Sequence, residues 1–193
     1  MVSGMETLRR LLAAGLCLMA GSALAADPPV LAGPRPAGGW LAEARLGVAA
    51  HDPWSPEAGS ATLTGLLLFR RPFLPASAPA ALVPLPHLGF SANPVGKTSH
   101  AHAGLTWQVE LTARLFVEGS LGAAFHDGRT GRAVPAGRNA LGCRALFREA
   151  AAIGYRLEGG WTVTAGLEHL SNAGRCNANR GLTNVGVMLG YRF

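Results

Sequence analysis

Residues 161–171 read WTVTAGLEHLS, and the alternation along this stretch decides which fold the chain adopts. Because successive side chains of a β-strand point to opposite faces, one face carries an apolar row that ends in His169 and Ser171. Residues two apart on one face have Cα atoms about 6–7 Å from each other, which lets an imidazole reach a serine hydroxyl. The stretch therefore predicts a strand with a base and a hydroxyl at one end.

A polar loop and a second alternating stretch complete a hairpin with this strand. Residues 172–181 are rich in Asn, Gly and Arg, which is typical of a loop. Residues 183–193 read TNVGVMLGYRF, with Thr, Val, Leu, Tyr and Phe on one face. The sequence therefore places the polar pair where the first strand enters the hairpin loop.

Composition excludes several classes of protein. The 193-residue chain is 49% hydrophobic, contains 26 glycines and has a formal net charge of +6. After the N-terminal segment, no apolar run approaches the ~18–20 residues that a membrane-spanning helix needs. The arginines are scattered, with no lysine-rich run or basic helix, so nucleic acid is not an expected partner. An apolar, exported chain that is poor in helix favours alternating membrane strands of about ten residues.

The N-terminal segment is predicted to direct export. Arg9 and Arg10 precede an apolar run over residues 11–20, and Ala23-Leu24-Ala25 fits a cleavage site, with small residues at its first and third positions. The apolar run is too short for a membrane anchor. The expected parts of the chain are a signal peptide at residues 1–25, a Pro/Gly-rich periplasmic leader at residues 26–39 and a barrel at residues 40–193.

Alternating stretches separated by turn residues recur along the rest of the chain. The predicted strands are residues 40–51, 61–69, 82–93, 101–113, 115–125, 141–157, 161–171 and 183–193. The third is the least regular, because Pro84 and Pro86 cannot donate hydrogen bonds to a neighbouring strand. Eight is the smallest common strand number for a membrane barrel. We therefore predict an all-β fold, an eight-stranded antiparallel outer-membrane β-barrel.

A soluble barrel of the lipocalin type is the other all-β interpretation. It would turn its apolar rows inward, whereas a membrane barrel turns them outward toward lipid. The alternation alone does not distinguish the two faces. The C-terminal Tyr191-Arg192-Phe193 favours the membrane, since it resembles the C-terminal assembly signal of outer-membrane barrels.

The hairpin also carries a recognisable motif. The run HLSNAG at residues 169–174, together with Asn179, Gly181 and the closing GYRF at residues 190–193, resembles the PagL family of lipid A 3-O-deacylases. The resemblance implies an outer-membrane serine esterase that hydrolyses the 3-O-linked acyl ester of lipid A and releases a 3-hydroxy fatty acid. It implies lipid A or lipopolysaccharide as substrate, the bacterial outer membrane as location and no cofactor. Whether the chain forms a homodimer stays open.

The resemblance assigns roles to residues of the motif. Ser171 matches the nucleophile and His169 the general base, since a serine attacks only when a base takes its proton. Asn172, with the backbone N–H of Gly174, matches the oxyanion donor. Asn179 is expected to be a supporting polar residue.

The chain departs from the family at the position of the catalytic acid, which is Thr183 here. A threonine cannot stabilise an imidazolium as a carboxylate does. Two interpretations follow from this departure. Either another carboxylate substitutes, or the chain is a weak or non-catalytic barrel with a structural or adhesive role.

Antiparallel pairing offers a substitute for the missing acid. If Leu157 opposes Trp161 across the tight turn between their strands, Glu149 lies opposite His169 on the same face. Directly opposed side chains have Cβ atoms about 5 Å apart. Glu168 is adjacent in sequence but points to the other face. Glu149 is therefore the predicted catalytic carboxylate.

The cysteines and histidines complete the set of candidates. Export places Cys143 and Cys176 in an oxidising compartment, and the same pairing brings them nearly level, so we predict a disulfide. His100 and His102 form a His-Ala-His pattern that suits a metal ion. No third ligand stands out in the sequence, so no metal site is assigned.

Overall fold

The computed structural model describes residues 39–71 and 79–193. They form a closed antiparallel barrel in which each strand pairs with the next and the last pairs with the first. The strands are β1 (Leu41–His51), β2 (Ala61–Phe69), β3 (Leu85–Ala92), β4 (His100–Glu110), β5 (Leu115–His126), β6 (Ala145–Arg156), β7 (Trp161–Ser171) and β8 (Leu182–Arg192). In these described ranges no helix has the length and apolar character needed to cross a membrane. The predicted signal peptide and all but the last residue of the predicted leader lie outside them.

The strand predictions are confirmed, and the later start of β3 has a physical reason. β2 and β7 begin and end at the predicted residues, and the other strands agree to within a few residues. β3 begins at Leu85, after a short 3-10 turn at Ala80–Leu82, and not at residue 82. Pro86 pairs with Leu105 of β4 but lies beyond the last pair between β3 and β2. Its missing N–H therefore falls where the ladder on that side has already ended.

The two faces of the barrel wall settle which way the apolar rows point. Large apolar side chains are exposed all around the outer wall, including Leu46, Val48, Leu63, Leu105, Leu121, Ile153, Leu167, Val187 and Leu189. The alternating positions between them are buried and mostly polar. This is the arrangement of a barrel that spans a membrane, and it is the reverse of a soluble barrel. The membrane interpretation of the sequence is thereby confirmed over the lipocalin type.

Ion pairs join the buried charged side chains of the barrel interior. The guanidinium of Arg45 donates two hydrogen bonds of 2.6 Å to the Glu118 carboxylate and one of 2.8 Å to Glu43. Arg148 donates from Nε to Glu168 over 2.8 Å. Buried charges are tolerated when they are paired and hydrogen-bonded in this way. Ion pairs therefore stabilise the interior, beside the buried apolar clusters around Leu68 and Leu170.

The HLSNAG motif at residues 169–174 lies at one end of the barrel, where four loops connect the strands. The loops at this end are residues 52–60, 93–99, 127–144 and 172–181. The turns at residues 111–114 and 157–160, at the opposite end, are much shorter. Trp161, Tyr191 and Phe193 form an aromatic row at that opposite end, with successive ring centroids 5.1 and 5.4 Å apart. Two of the three connections at that opposite end are short turns, whereas the third, residues 70–84 between β2 and β3, is long.

Candidate active site

The outward-facing residues at the end of β7 form the candidate site. His169 and Ser171 are both half-buried on the outer wall. On one side, β6 places Glu149 opposite His169; on the other, β8 places Thr183 opposite the same histidine. The register that sequence predicted from the tight turn is therefore confirmed.

The His169 imidazole is oriented by Thr183. Its Nδ1 lies 2.8 Å from the Thr183 hydroxyl oxygen. If Nδ1–H donates to that oxygen, Nε2 keeps its lone pair and is free to accept a proton. Glu149 is exposed, and within the described ranges no hydrogen bond or ion pair joins its carboxylate to His169. A neutral hydroxyl thus does the orienting that the sequence had assigned to a carboxylate.

Gly181 supports the other side of the imidazole. It has φ +72°, in the left-handed region that favours glycine. A Cβ at this position would lie 2.9 Å from Cε1 and 3.3 Å from Nε2 of His169. The ring therefore packs against bare backbone, which limits its rotation away from Thr183.

A buried aspartate fixes the backbone beneath Thr183. Asp52 accepts the Thr183 backbone N–H at Oδ1 over 2.9 Å, and its own N–H donates to Asn184 over 3.3 Å. The Asn139 side-chain amide donates to the other carboxylate oxygen of Asp52 and, over 3.1 Å, to the Gly181 carbonyl. Sequence analysis singled out neither Asp52 nor Asn139. Together they hold both residues that confine the imidazole.

Glu57 links the loops around this anchor. Its carboxylate accepts the backbone N–H groups of Thr98 and Asn139 over 2.9 and 3.0 Å, and lies 3.1 Å from His51 Nε2. Burial raises the pKa of Glu57, but these hydrogen bonds outweigh it and lower the pKa to about 2. The group therefore stays ionised and ties three loops together at the end of the barrel that carries the site.

The expected oxyanion donors need correction. The side-chain amide of Asn172 is buried and donates to the carbonyls of Leu141 and Ala178 over 2.8 and 2.5 Å. Its oxygen accepts the Gly174 N–H over 2.9 Å. Both N–H groups of the Asn172 side-chain amide and the backbone N–H of Gly174 thus already donate hydrogen bonds to other groups of the protein. Asn179 accepts the Asn172 backbone N–H at Oδ1, and its Nδ2 has no hydrogen-bond partner in the described part of the chain.

Ser171 is left without a fixed partner. None of the hydrogen bonds found in residues 39–71 and 79–193 involves its hydroxyl. Its cross-strand neighbour Phe147 is covered by the guanidinium of Arg175, which lies 4.9 Å from the ring centroid. The Arg175 guanidinium thus lies over the ring of the residue that pairs with Ser171.

A disulfide ties the loop that follows Ser171 to the start of the neighbouring strand. Cys143 and Cys176 are joined, with Cα atoms 6.0 Å apart, as the register predicted. The bridge connects the loop before β6 with the loop between β7 and β8. It therefore restrains the segment that carries Asn179.

Comparison with known proteins bears on both the fold and the site. A family model described as Lipid A 3-O-deacylase (PagL) matches residues 85–192, which is more than half of the chain. The crystal structure of the outer membrane enzyme PagL superposes with a TM-score of 0.61 at 16% identity, covering 79% of this chain and 100% of that one. The Yersinia pestis outer membrane protein Ail, in a phospholipid bilayer nanodisc, gives a TM-score of 0.45 at 11% identity, covering 80% of this chain and 100% of that one. No curated protein sequence matches significantly.

Proposed function

Because the chain belongs to the PagL family of lipid A 3-O-deacylases, we propose that it is a serine esterase of the bacterial outer membrane. Its substrate is the 3-O-linked acyl ester of lipid A, and its product is a 3-hydroxy fatty acid. One observation carries this proposal: His169 and Ser171 share the lipid-facing wall, and Thr183 holds Nδ1 of the histidine. An ester bond of a membrane lipid reaches that wall without leaving the bilayer.

The reaction follows the usual course of a serine esterase. Ser171 Oγ attacks the ester carbonyl while Nε2 of His169 takes its proton. Asn179 Nδ2, which has no hydrogen-bond partner in the described part of the chain, donates a hydrogen bond to the oxyanion of the tetrahedral intermediate. Collapse of the intermediate expels the sugar 3-hydroxyl, which regains the proton from His169. Water then hydrolyses the acyl-serine by the same steps.

In this proposal, Thr183 and Glu149 each have one role of the family's catalytic acid. Thr183 orients His169 through the contact at Nδ1, and when its hydroxyl accepts the Nδ1–H, Nε2 keeps the lone pair that takes the serine proton. Glu149, directly opposite on β6, supplies negative charge near the imidazolium that forms during attack. Opposed Cβ atoms lie about 5 Å apart, so the interaction needs no hydrogen bond.

Arg175 suits a substrate that carries phosphate. Its guanidinium lies over Phe147, the neighbour of Ser171, and lipid A is an anionic lipid. Guanidinium groups bind phosphate oxygens with charge-assisted hydrogen bonds. The cation therefore favours a phosphorylated lipid beside the serine over a neutral one.

A non-catalytic barrel is the second candidate, and Thr183 is the observation that favours it. Without a hydrogen-bonded carboxylate, the histidine is a weaker base. In that case the chain keeps the scaffold for a structural or adhesive role. Both candidates predict the same fold and location, so only activity separates them.

Mass spectrometry of lipid A separates the two candidates. Cells that express the wild-type chain, the Ser171→Ala variant or neither are compared, with barrel assembly checked in each. We expect loss of one 3-hydroxyacyl chain with the wild type alone. An unchanged spectrum from cells with correctly assembled wild-type protein would reject the esterase and retain the non-catalytic barrel.

A further inference from the structure

We propose that the barrel interior contains a binding site for a divalent transition-metal ion, formed by His100, His102 and Glu168. The site lies on the inner face of the wall, near the end that carries the long loops. It is independent of the proposed esterase, which uses the outer face.

Two strands bring the ligands together. His100 and His102 are two residues apart on β4 and both point inward, each 5% exposed, and Glu168 points inward from β7 at 8%. One ligand atom from each residue lies within 4.8 Å of the others. His100 Nε2 is 3.2 Å from Glu168 Oε1. The third ligand, absent from the local sequence, thus comes from a strand more distant along the chain.

Unpaired ring nitrogens indicate that the cluster lacks a ligand. Among the described residues, both nitrogens of His100, Nδ1 of His102 and Nε2 of His87 are buried without a hydrogen-bond partner. His100 Nε2 has the distance of an ion pair with Glu168 but not the geometry of a hydrogen bond. A buried polar group without a partner costs about 1–3 kcal/mol, and several so close together are unusual. A coordinated ion would satisfy one nitrogen of each ligating ring.

Glycine makes room for the imidazole rings. A Cβ at Gly89 on β3 would lie 2.4 Å from Cε1 and 2.5 Å from Nε2 of His102. The His102 ring therefore packs directly against the backbone of the wall. The His87 ring lies edge-on to it, with centroids 5.4 Å apart, and its Nε2 is also unpaired among the described residues.

The charge of the interior is consistent with a bound cation. Among the described strand residues, three buried carboxylates face two buried guanidinium groups. The carboxylates belong to Glu43, Glu118 and Glu168, and the guanidinium groups to Arg45 and Arg148. Arg148 binds Oε2 of Glu168 over 2.8 Å and so fixes the carboxylate, while Oε1 accepts hydrogen bonds from Ser91 and Asn184 and lies 3.2 Å from His100 Nε2. Hydrogen bonds of this kind commonly orient ligating carboxylates.

The donor set selects the type of ion. Imidazole ligands with one carboxylate suit Zn²⁺, Ni²⁺ or Cu²⁺, whereas Mg²⁺ and Ca²⁺ prefer oxygen ligands alone. Such ions hold nitrogen and oxygen ligands at about 2.0–2.2 Å, so two ligand atoms lie at most about 4.4 Å apart. The candidate ligand atoms lie within 4.8 Å of one another, and His100 Nε2 is 3.2 Å from Glu168 Oε1, so side-chain rotations bring them to such distances.

Metal binding to the purified barrel tests the proposal. Untagged protein is refolded in detergent, stripped of metal, dialysed against Zn²⁺ or Cu²⁺ and analysed for metal content and, with Cu²⁺, for nitrogen hyperfine structure by electron paramagnetic resonance. We expect about one ion per chain, with at least two coordinated nitrogens, and binding at least tenfold weaker in the His100→Gln/His102→Gln variant. The matched control is His169→Gln, which removes the histidine next to Glu168 but on the outer face.

Each outcome decides the proposal. Wild-type affinity in the control, with weaker binding in the double variant, supports the interior site. Equal binding in the double variant and the wild type would overturn it, as would no stoichiometric ion in a folded wild-type barrel, which leaves water or histidine protonation as the partner. Since the readout is metal content, the result does not depend on esterase activity. If the double variant does not fold, His100→Gln alone must show the loss.

Discussion

The inner and outer faces of β7 differ in how their polar residues are held. Glu168 points inward and is bound by Arg148, Ser91 and Asn184 over 2.8, 2.8 and 3.0 Å. His169, the next residue, points outward and contacts the Thr183 hydroxyl. Ser171, two residues further along the outer face, has no hydrogen-bond partner in the described ranges.

This difference separates residues that stabilise the barrel from residues that are available to a substrate. A buried carboxylate must be fully hydrogen-bonded, because each missing partner costs free energy. A polar group on a lipid-facing wall costs free energy in the same way, yet His169 and Ser171 are left largely unpaired. The unpaired groups are therefore the ones whose partner is expected to arrive with the lipid.

Removing the serine gives the largest expected effect. Ser171→Ala should lower the rate of 3-hydroxy fatty acid release from purified lipid A by at least about 10³-fold, because the nucleophile is lost. His169→Ala should cause a comparable loss. Both residues lie on the outer face, so the barrel should assemble normally, as judged by the mobility of unboiled and boiled protein in electrophoresis. Retained turnover in the serine variant would show that the outer face is not catalytic as proposed.

Neutralising one carboxylate on each face tests the comparison directly. Glu168→Gln should lower the free energy of unfolding by about 3–5 kcal/mol, since Arg148 would remain buried without its carboxylate. Glu149→Gln, at an exposed position, should change it by less than about 0.5 kcal/mol but lower turnover per folded molecule about tenfold. Urea unfolding and deacylation assays measure the two quantities. Similar effects of both variants on both quantities would contradict the division between faces.

Acid should weaken the loops around the candidate site through Glu57, and not through the outer face of β7. The pKa of Glu57 is about 2 in the folded protein, below its usual 4.5. Its contribution is therefore complete above pH 4.5 and is lost as the pH falls toward 2. At 1.36 kcal/mol per pKa unit, this amounts to about 3 kcal/mol. Unfolding measured across this range should show that Glu57→Gln removes much of the dependence; an unchanged slope would locate the acid sensitivity elsewhere.

Placing a carboxylate at position 183 gives the smallest expected effect. Thr183→Glu should raise the rate of deacylation about tenfold, because a carboxylate beside Nδ1 stabilises the imidazolium as the hydroxyl cannot. Thr183→Gln, which has the same size without the charge, is the matched control. A rate increase in both variants would show that the size of the side chain at position 183, and not its charge, raises the rate.

Local pairing made much of the site predictable. The Glu158-Gly159-Gly160 turn fixes the register of β6 and β7, and from it follow Glu149 opposite His169 and the Cys143–Cys176 bridge. Turn length and antiparallel geometry are enough for such inferences, since they involve neighbouring strands.

Contacts between distant segments were not predictable in this way. Asp52 reaches Thr183 across 131 residues of sequence, and Asn139 reaches Asp52 across 87. These bonds exist only when the barrel closes, and the sequence around Asp52 shows only the Asp-Pro pair of a turn. The role of Asn172 was misjudged for a related reason: its amide partners depend on the folded path of the loop, including φ +52° at Ala173.

The pairing of β1 with β8 also bears on how the barrel forms. Glu43 pairs with Arg192, so this seam joins segments separated by most of the chain. Loop-closure entropy delays such distant contacts, and the seam is expected to form after the hairpins. Until then both strands present open edges that can pair with another molecule. The yield of functional protein should therefore depend on the rate of barrel closure relative to the rate of aggregation, and not only on the stability of the finished barrel.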